Sequence, residues 1–368
     1  MSNTDTEEQL TDGEDLLRYL SPLLNCMRLS GLYFRTASPH MHDVSGSTTV
    51  TNDKKDPKKW NVGRIYSAAI LVIVWVNAAR MLSAIDRSDK FGFLLLVKLS
   101  SISATVLSAL LQTACFVACR TGNLERIFSD ARLPKSNAAR YRRFAVMVTA
   151  ISWLLLVIDL GFVLMIFFQE ERLVYFSPPF QVHVFVYGDS LIGVKIMSTL
   201  LFIVADHVLY FSYSVNLIVT CILYDQFCTL NRDFQRSVGR SGEFQGSVRE
   251  FRRRHQALTQ SVENADQFMM ISNVAGFGCK IIILILIFYC TIFFPGETMG
   301  KDVLSATMYV IWIVSTLFGL MLTACQGVVI NHMVCWYNND SQSYGNVQTS
   351  ELSVCLQRMH ILMKLLAK

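Results

Sequence analysis

The 368-residue chain is poor in charge: Asp, Glu, Lys and Arg together make up only 17% of it, against 52% hydrophobic residues. A soluble globule of that composition would expose far too much apolar surface, so the surroundings that cover it must themselves be apolar. Proline is also scarce, and all seven prolines lie outside the long apolar runs. Paired helix-breaking prolines of the kind found in many transporter spans are therefore missing. The start of the chain, Met1–Asp15, is acidic and polar and has no apolar core before a small-residue cleavage site, which argues against a secretory leader. There is no phosphate-cradling glycine loop, no paired-histidine zinc helix and no nucleophile elbow, so no enzyme class and no cofactor is indicated.

The chain is rich in long apolar stretches, at 62–84, 91–119, 143–168, 191–223, 268–294 and 303–330. Each reaches the run of about 20 residues that spans a hydrocarbon core of about 30 Å. All are far longer than barrel strands of about 10 residues. The predicted class is all-α, a polytopic membrane helix bundle with six spans in contact with the lipid bilayer.

The net charge of +5 is not a nucleic-acid footprint, because the positive residues are mostly confined to the segments between spans. The connections 120–143 and 224–267 carry fourteen Lys and Arg, whereas 85–90, 169–190 and 295–302 carry only Arg87, Lys90, Arg172 and Lys301. The positive-inside rule then puts residues 1–61, 224–267 and 331–368 in the cytoplasm. That orientation is opposite to the one found in G-protein-coupled receptors, and it leaves the sequon at Asn339 on the inside.

Nine of the ten cysteines fall within spans or on the cytoplasmic side, and Cys290 lies near an outer end. They read as small buried hydrophobes or reduced thiols. Cys115 and Cys119 share a helix face, but they have no second pair or histidine with which to hold a metal.

Three further segments show pattern. In 16–34, Leu16, Leu17, Leu20, Leu23, Leu24 and Met27 recur at helical spacing, which predicts an amphipathic helix placed either on the membrane surface or against a cytoplasmic domain. Residues 40–59 read as a linker. In 224–267, Val248, Phe251, His255, Leu258, Val262, Ala265 and Met269 alternate at three and four, a heptad-like seam predicting a packed cytoplasmic helical connection. Residues 351–368 repeat the amphipathic habit.

A charge at membrane depth costs at least about 2.5–3.5 kcal/mol, so polar residues inside spans are candidates for function. Lys98, Asp159, Lys195, Tyr289, Tyr309 and Trp312 fall in the outer halves of the spans, with Asp206, His207 and Tyr210 near the midplane. Together they describe an outward-facing pocket for a small molecule. The plainer alternative is that Asp159 and Lys195 neutralise each other and His207 serves a helix contact. Lys280 lies deeper and reads as a structural partner, and Gly276 and Gly278 read as points of close helix approach.

Leu16-Leu17-Arg18-Tyr19-Leu20-Ser21-Pro22-Leu23-Leu24, then Ser30-Gly31-Leu32-Tyr33, resembles the amino-terminal pattern of arthropod gustatory receptors, in the seven-span chemoreceptor superfamily. The inside amino terminus, the basic second loop, the extended fourth-to-fifth connection and the Cys335…Leu356…Leu362 segment fit the same layout. The resemblance implies a ligand-gated, non-selective cation channel at the plasma membrane. Such a channel is a homo- or hetero-tetramer with related subunits, binding a small-molecule tastant in the outer bundle and joined through extended cytoplasmic helices. The family's Thr-Tyr and Gln-Phe motif in a pore-lining seventh span has no counterpart in these residues. The expectation for residues 1–368 alone is a form that conducts poorly or not at all. A six-span secondary transporter or membrane scaffold, with Lys98, Asp159, Lys195 and Asp206 along a substrate or proton path, is the alternative reading.

Overall fold

A computed structural model describes residues 13–35, 62–83, 85, 92–129, 135–168, 192–237, 247–298 and 303–342. Among them every regular element is helical: α1 (Gly13–Tyr19), α2 (Ser21–Leu29), α3 (Val62–Ser83), α4 (Phe93–Thr121), α5 (Asn123–Ser129), α6 (Lys135–Phe168), α7 (Ile192–Ser237), α8 (Val248–Phe293), α9 (Pro295–Thr298) and α10 (Val303–Gln342). Six of these, α3, α4, α6, α7, α8 and α10, are long and apolar enough to cross a membrane. The chain is thus a polytopic helical bundle with the composition of a multi-pass membrane protein. The linker 40–59, the segment 351–368 and the connection 169–190 lie outside the described residues.

Enclosure sorts the six helices. Of their most apolar stretches, 61% of α4 and 56% of α7 lie inside the bundle, against 17% for α10. α8 packs along α4 and α10, α3 along α4, and α6 along α7, so α4 and α7 form the centre. Val76 on α3, Leu154 and Val157 on α6, Ile285 on α8 and Phe318 and Met321 on α10 face outward and present the apolar belt that lipid covers.

The helices outrun their apolar stretches at one end, which carries Arg120, Arg140, Arg142, Arg143, Arg232, Arg236 and Arg249 and is here termed the basic end. α7 and α8 each run 46 residues, about 69 Å at 1.5 Å per residue. The Ser247 side chain caps α8 by accepting the Glu250 amide at 3.3 Å. The seam on α8 is buried: Leu258, Val262, Ala265 and Met269 join the main core, and Phe251 and His255 are half-buried. Its partners come from the same chain, α4, α5 and α7. Arg254 donates to Asp233 at 2.8 Å and ties the projecting parts of α7 and α8 together.

The amino-terminal segment packs against the rest of the chain and divides where one helix was expected. It is two helices rather than one, broken at Leu20, with Pro22 in the first turn of α2, where its missing amide costs nothing. It does not lie on a surface: Leu16, Leu20, Leu23, Leu24, Met27, Leu32, Tyr33 and Phe34 are all buried in the main core. α2 ends in a turn at Gly31, whose φ of 68° suits glycine, and an added Cβ would stand 3.1 Å from Ile70 Cβ. The Gly31 carbonyl accepts from Ser67 Oγ on α3 and from Gln112 Nε2 on α4, the latter at 2.9 Å. Tyr66 donates to the Leu29 carbonyl at 2.6 Å, and the Cys119 thiol to that of Leu32 at 3.5 Å. Non-helical backbone among apolar helices requires such partners, and α3 and α4 supply them.

Candidate functional site

The residues singled out by the sequence separate into two sets on different helices. The first set lies between α6 and α7. Asp159 on α6 accepts a hydrogen bond from the Tyr210 hydroxyl on α7, and the Asp206 carboxyl lies within charge-interaction range of Asp159. One turn before Tyr210, the His207 ring meets Trp153 of α6 at a tilt of 49° with centres 5.3 Å apart and meets Phe211 edge-on at 4.4 Å. Trp153 also contacts Phe211 at 5.9 Å and donates to Cys26 Sγ of α2 at 3.3 Å. His207 Nε2 is buried and has no hydrogen-bond partner within the protein. This set joins two carboxyl groups, an imidazole and aromatic faces, a combination suited to a polar or cationic small molecule.

The second set lies at the end opposite the basic one, where α4 and α10 begin and α8 terminates. Tyr309 is fully buried, with Phe93 at 6.1 Å and Trp312 at 6.3 Å between ring centres. Phe294 stands 6.0 Å from Phe93 and 6.5 Å from Tyr289, which itself stacks on Phe293 at 4.3 Å. Leu96, Val97, Ile283, Ile287 and Cys290 complete this apolar cluster. Lys98 is half-buried on α4 next to Val97. The geometry suits a flat apolar or aromatic group.

The ring contacts given above for His207, Tyr289, Tyr309 and Trp312 fall within one set or the other. Of the residues expected to line one pocket, Lys98, Asp159, Lys195, Asp206, His207, Tyr289, Tyr309 and Trp312, the first set holds Asp159, Asp206 and His207 and the second holds Tyr289, Tyr309 and Trp312, with Lys98 beside it. Asp159 engages Tyr210, and the side chain of Lys195 lies outside the described residues. Trp153, Phe211 and Phe93 were not singled out by the sequence. Phe211 was within reach, being four residues after His207 on one helix face. Trp153 and Phe93 were not, since the order in which helices pack is not written in their periodicity.

The remaining sequence candidates resolve individually. Lys280 is buried at 6% exposure, with Nζ 3.7 Å from the centre of the Tyr213 ring. Gly276 makes room for the Tyr213 hydroxyl, 2.9 Å from where a Cβ would stand, whereas Gly278 faces open space and explains no contact. Cys115 lies 3.7 Å from Ser212 Oγ, and the eight cysteines whose side chains are described, from Cys26 to Cys325, are free thiols. No metal-binding group of His, Cys, Asp and Glu occurs among the described residues. No protein-family model matches the chain, and no curated protein matches it.

Proposed function

We propose that the chain is a chemosensory receptor subunit of the gustatory type. In this reading it is a multi-pass plasma-membrane protein with its amino terminus in the cytoplasm, working as part of a tetrameric, ligand-gated, non-selective cation channel that responds to small-molecule tastants. The observation that carries the reading is the setting of the amino-terminal pattern. The residues Leu16–Tyr33 that bear the resemblance are enclosed by α3, α4, α6 and α7, as a segment integral to the receptor core would be. The contrast between the arginine-rich end and the aromatic set at the other end supports the orientation. The tastant site is placed between α6 and α7, where Asp159, Asp206 and His207 offer polar recognition beside Trp153 and Phe211.

Co-expression with related receptor subunits, followed by cation imaging against a tastant panel, tests this. D206A combined with H207F is expected to abolish the response while leaving surface expression unchanged; an unchanged dose-response curve removes both residues from the site. An amino-terminal epitope tag is expected to stain only permeabilised cells, and staining of intact cells overturns the orientation.

A six-span transporter is the second reading. The observation favouring it is that two neighbouring carboxyl groups, Asp159 and Asp206, sit at membrane depth on facing helices, the arrangement proton-coupled carriers use. Proton-driven uptake into reconstituted vesicles that is lost on D159N would support it over a channel.

A further inference from the structure

The seam between α7, α8 and α10 carries polar groups that neither set uses. Asn216 Nδ2 on α7 donates to Ser272 Oγ on α8 at 2.6 Å. One turn further along α7, Thr220 Oγ1 meets Met269 Sδ at 3.8 Å. On the other side of Asn216, the Lys280 ammonium lies over the Tyr213 ring and against Gly319 of α10, in space that a side chain at 319 would occupy. α8 and α10 run antiparallel. The Lys280–Gly319 contact therefore puts Asn273, seven residues earlier, level with Gln326, seven residues later, each about two turns along its helix.

Gln326 is 2% exposed, and neither Oε1 nor Nε2 has a partner within the protein. Asn216 Oδ1 and Asn273 Oδ1 are likewise buried and unpartnered. Leaving such a group unmet costs about 1–3 kcal/mol each. The amides do not satisfy one another, since none of these four atoms stands within hydrogen-bonding distance of a partner in the protein. An apolar occupant offers neither donors nor acceptors. A metal cation would serve the oxygens, but it would leave the Gln326 nitrogen unmet and sit about two turns or less from an ammonium that no carboxylate among the described residues neutralises. Water supplies both donors and acceptors, and buried waters typically make about three hydrogen bonds to otherwise unsatisfied groups.

We propose that this seam is a binding site for an ordered water cluster that bridges Asn216, Asn273 and Gln326 and extends upward to hydrate the Lys280 ammonium. The lysine then keeps part of its hydration shell inside a bundle whose outer faces are apolar. α10, the least enclosed helix, is held to α7 and α8 at this level through exchangeable hydrogen bonds rather than interlocked apolar side chains.

Radiolytic hydroxyl-radical footprinting of the whole chain in lipid nanodiscs, read peptide by peptide by mass spectrometry, tests the proposal, because radicals form where water is. Met269, at 0% exposure, and Tyr213, at 8%, are the probes; Met27 and Tyr309, both at 0%, are the dry references. Met269 and Tyr213 are expected to oxidise severalfold faster than the references, and Q326L and N273L, made separately, are each expected to slow Met269 to the rate of Met27. Equal, slow oxidation of all four residues in the unaltered chain shows a dry seam and overturns the proposal, whether or not either leucine variant folds. Fast oxidation that neither variant slows also overturns it, since the water would then lie elsewhere.

Discussion

The two ends of the bundle are closed in different ways. At the basic end a whole segment of chain, α1, α2 and the turn at Gly31, is driven between the long helices and stitched to them by side chains from α3, α4 and α6. At the other end a handful of rings from α4, α8 and α10 meet at tilted or stacked angles, and their apolar cluster is much smaller. Rigidity and adaptability therefore reside at opposite ends. Interlocked apolar residues with satisfied backbone resist displacement, whereas a ring cluster can re-pack around an added group.

Excavating both cores is expected to give the largest contrast between the ends. Leu23→Ala at the basic end is expected to cost toward the upper part of the range of about 2–5 kcal/mol seen for buried leucines, because interlocked neighbours cannot collapse into the space. Leu96→Ala in the ring cluster is expected near the lower part of that range. Thermal unfolding in matched nanodiscs measures both, and equal losses would erase the distinction.

Gly31→Ala comes next. A non-glycine residue in the left-handed region costs about 1–2 kcal/mol, and the tight approach to Ile70 adds to it. A midpoint indistinguishable from the parent would mean that the turn is not fixed as described.

Gln112→Leu removes one of the two donors to the Gly31 carbonyl and is expected to cost about 1 kcal/mol, less than Gly31→Ala, because Ser67 still serves the oxygen. The double variant with Ser67→Ala sharpens the comparison, since it leaves that carbonyl with neither donor and should lose more than the two single changes combined.

The smallest effect belongs to Arg35→Ala. Its ion pair with Glu125, at 3.0 Å, has an arginine that is 60% exposed, and pairs of that kind contribute about 0–1 kcal/mol. A large loss there would show that the basic end depends on charge rather than on packing.

The six apolar helices were legible because a span of membrane thickness needs one long uninterrupted run, and α3, α4 and α7 begin within two residues of the predicted starts. The seam on α8 was legible for a related reason: Leu258, Val262, Ala265 and Met269 repeat on one face and are indeed the buried face. The fate of Leu16–Phe34 was not. An apolar stripe states that a face will be covered and leaves open by what, and here the cover comes from α3 to α7, with Trp153 reaching Cys26 from 127 positions away. How the candidate site residues divide between helix pairs was illegible for the same reason. Depth within each span can be counted along the chain, but whether Asp159 faces Tyr210 or Lys195 depends on how α6 and α7 are rotated against each other.

α7 contains no proline between Ile192 and Ser237, so its hydrogen-bond ladder is continuous from the His207 level to Asp233, about 39 Å along the axis. A rod of that kind transmits tilt. A slight rocking of α7 where His207 meets Trp153 becomes a proportionally larger sideways sweep at the Asp233–Arg254 link, which turns the helix into a mechanical lever between the aromatic contacts in the bundle and the charged tip beyond it.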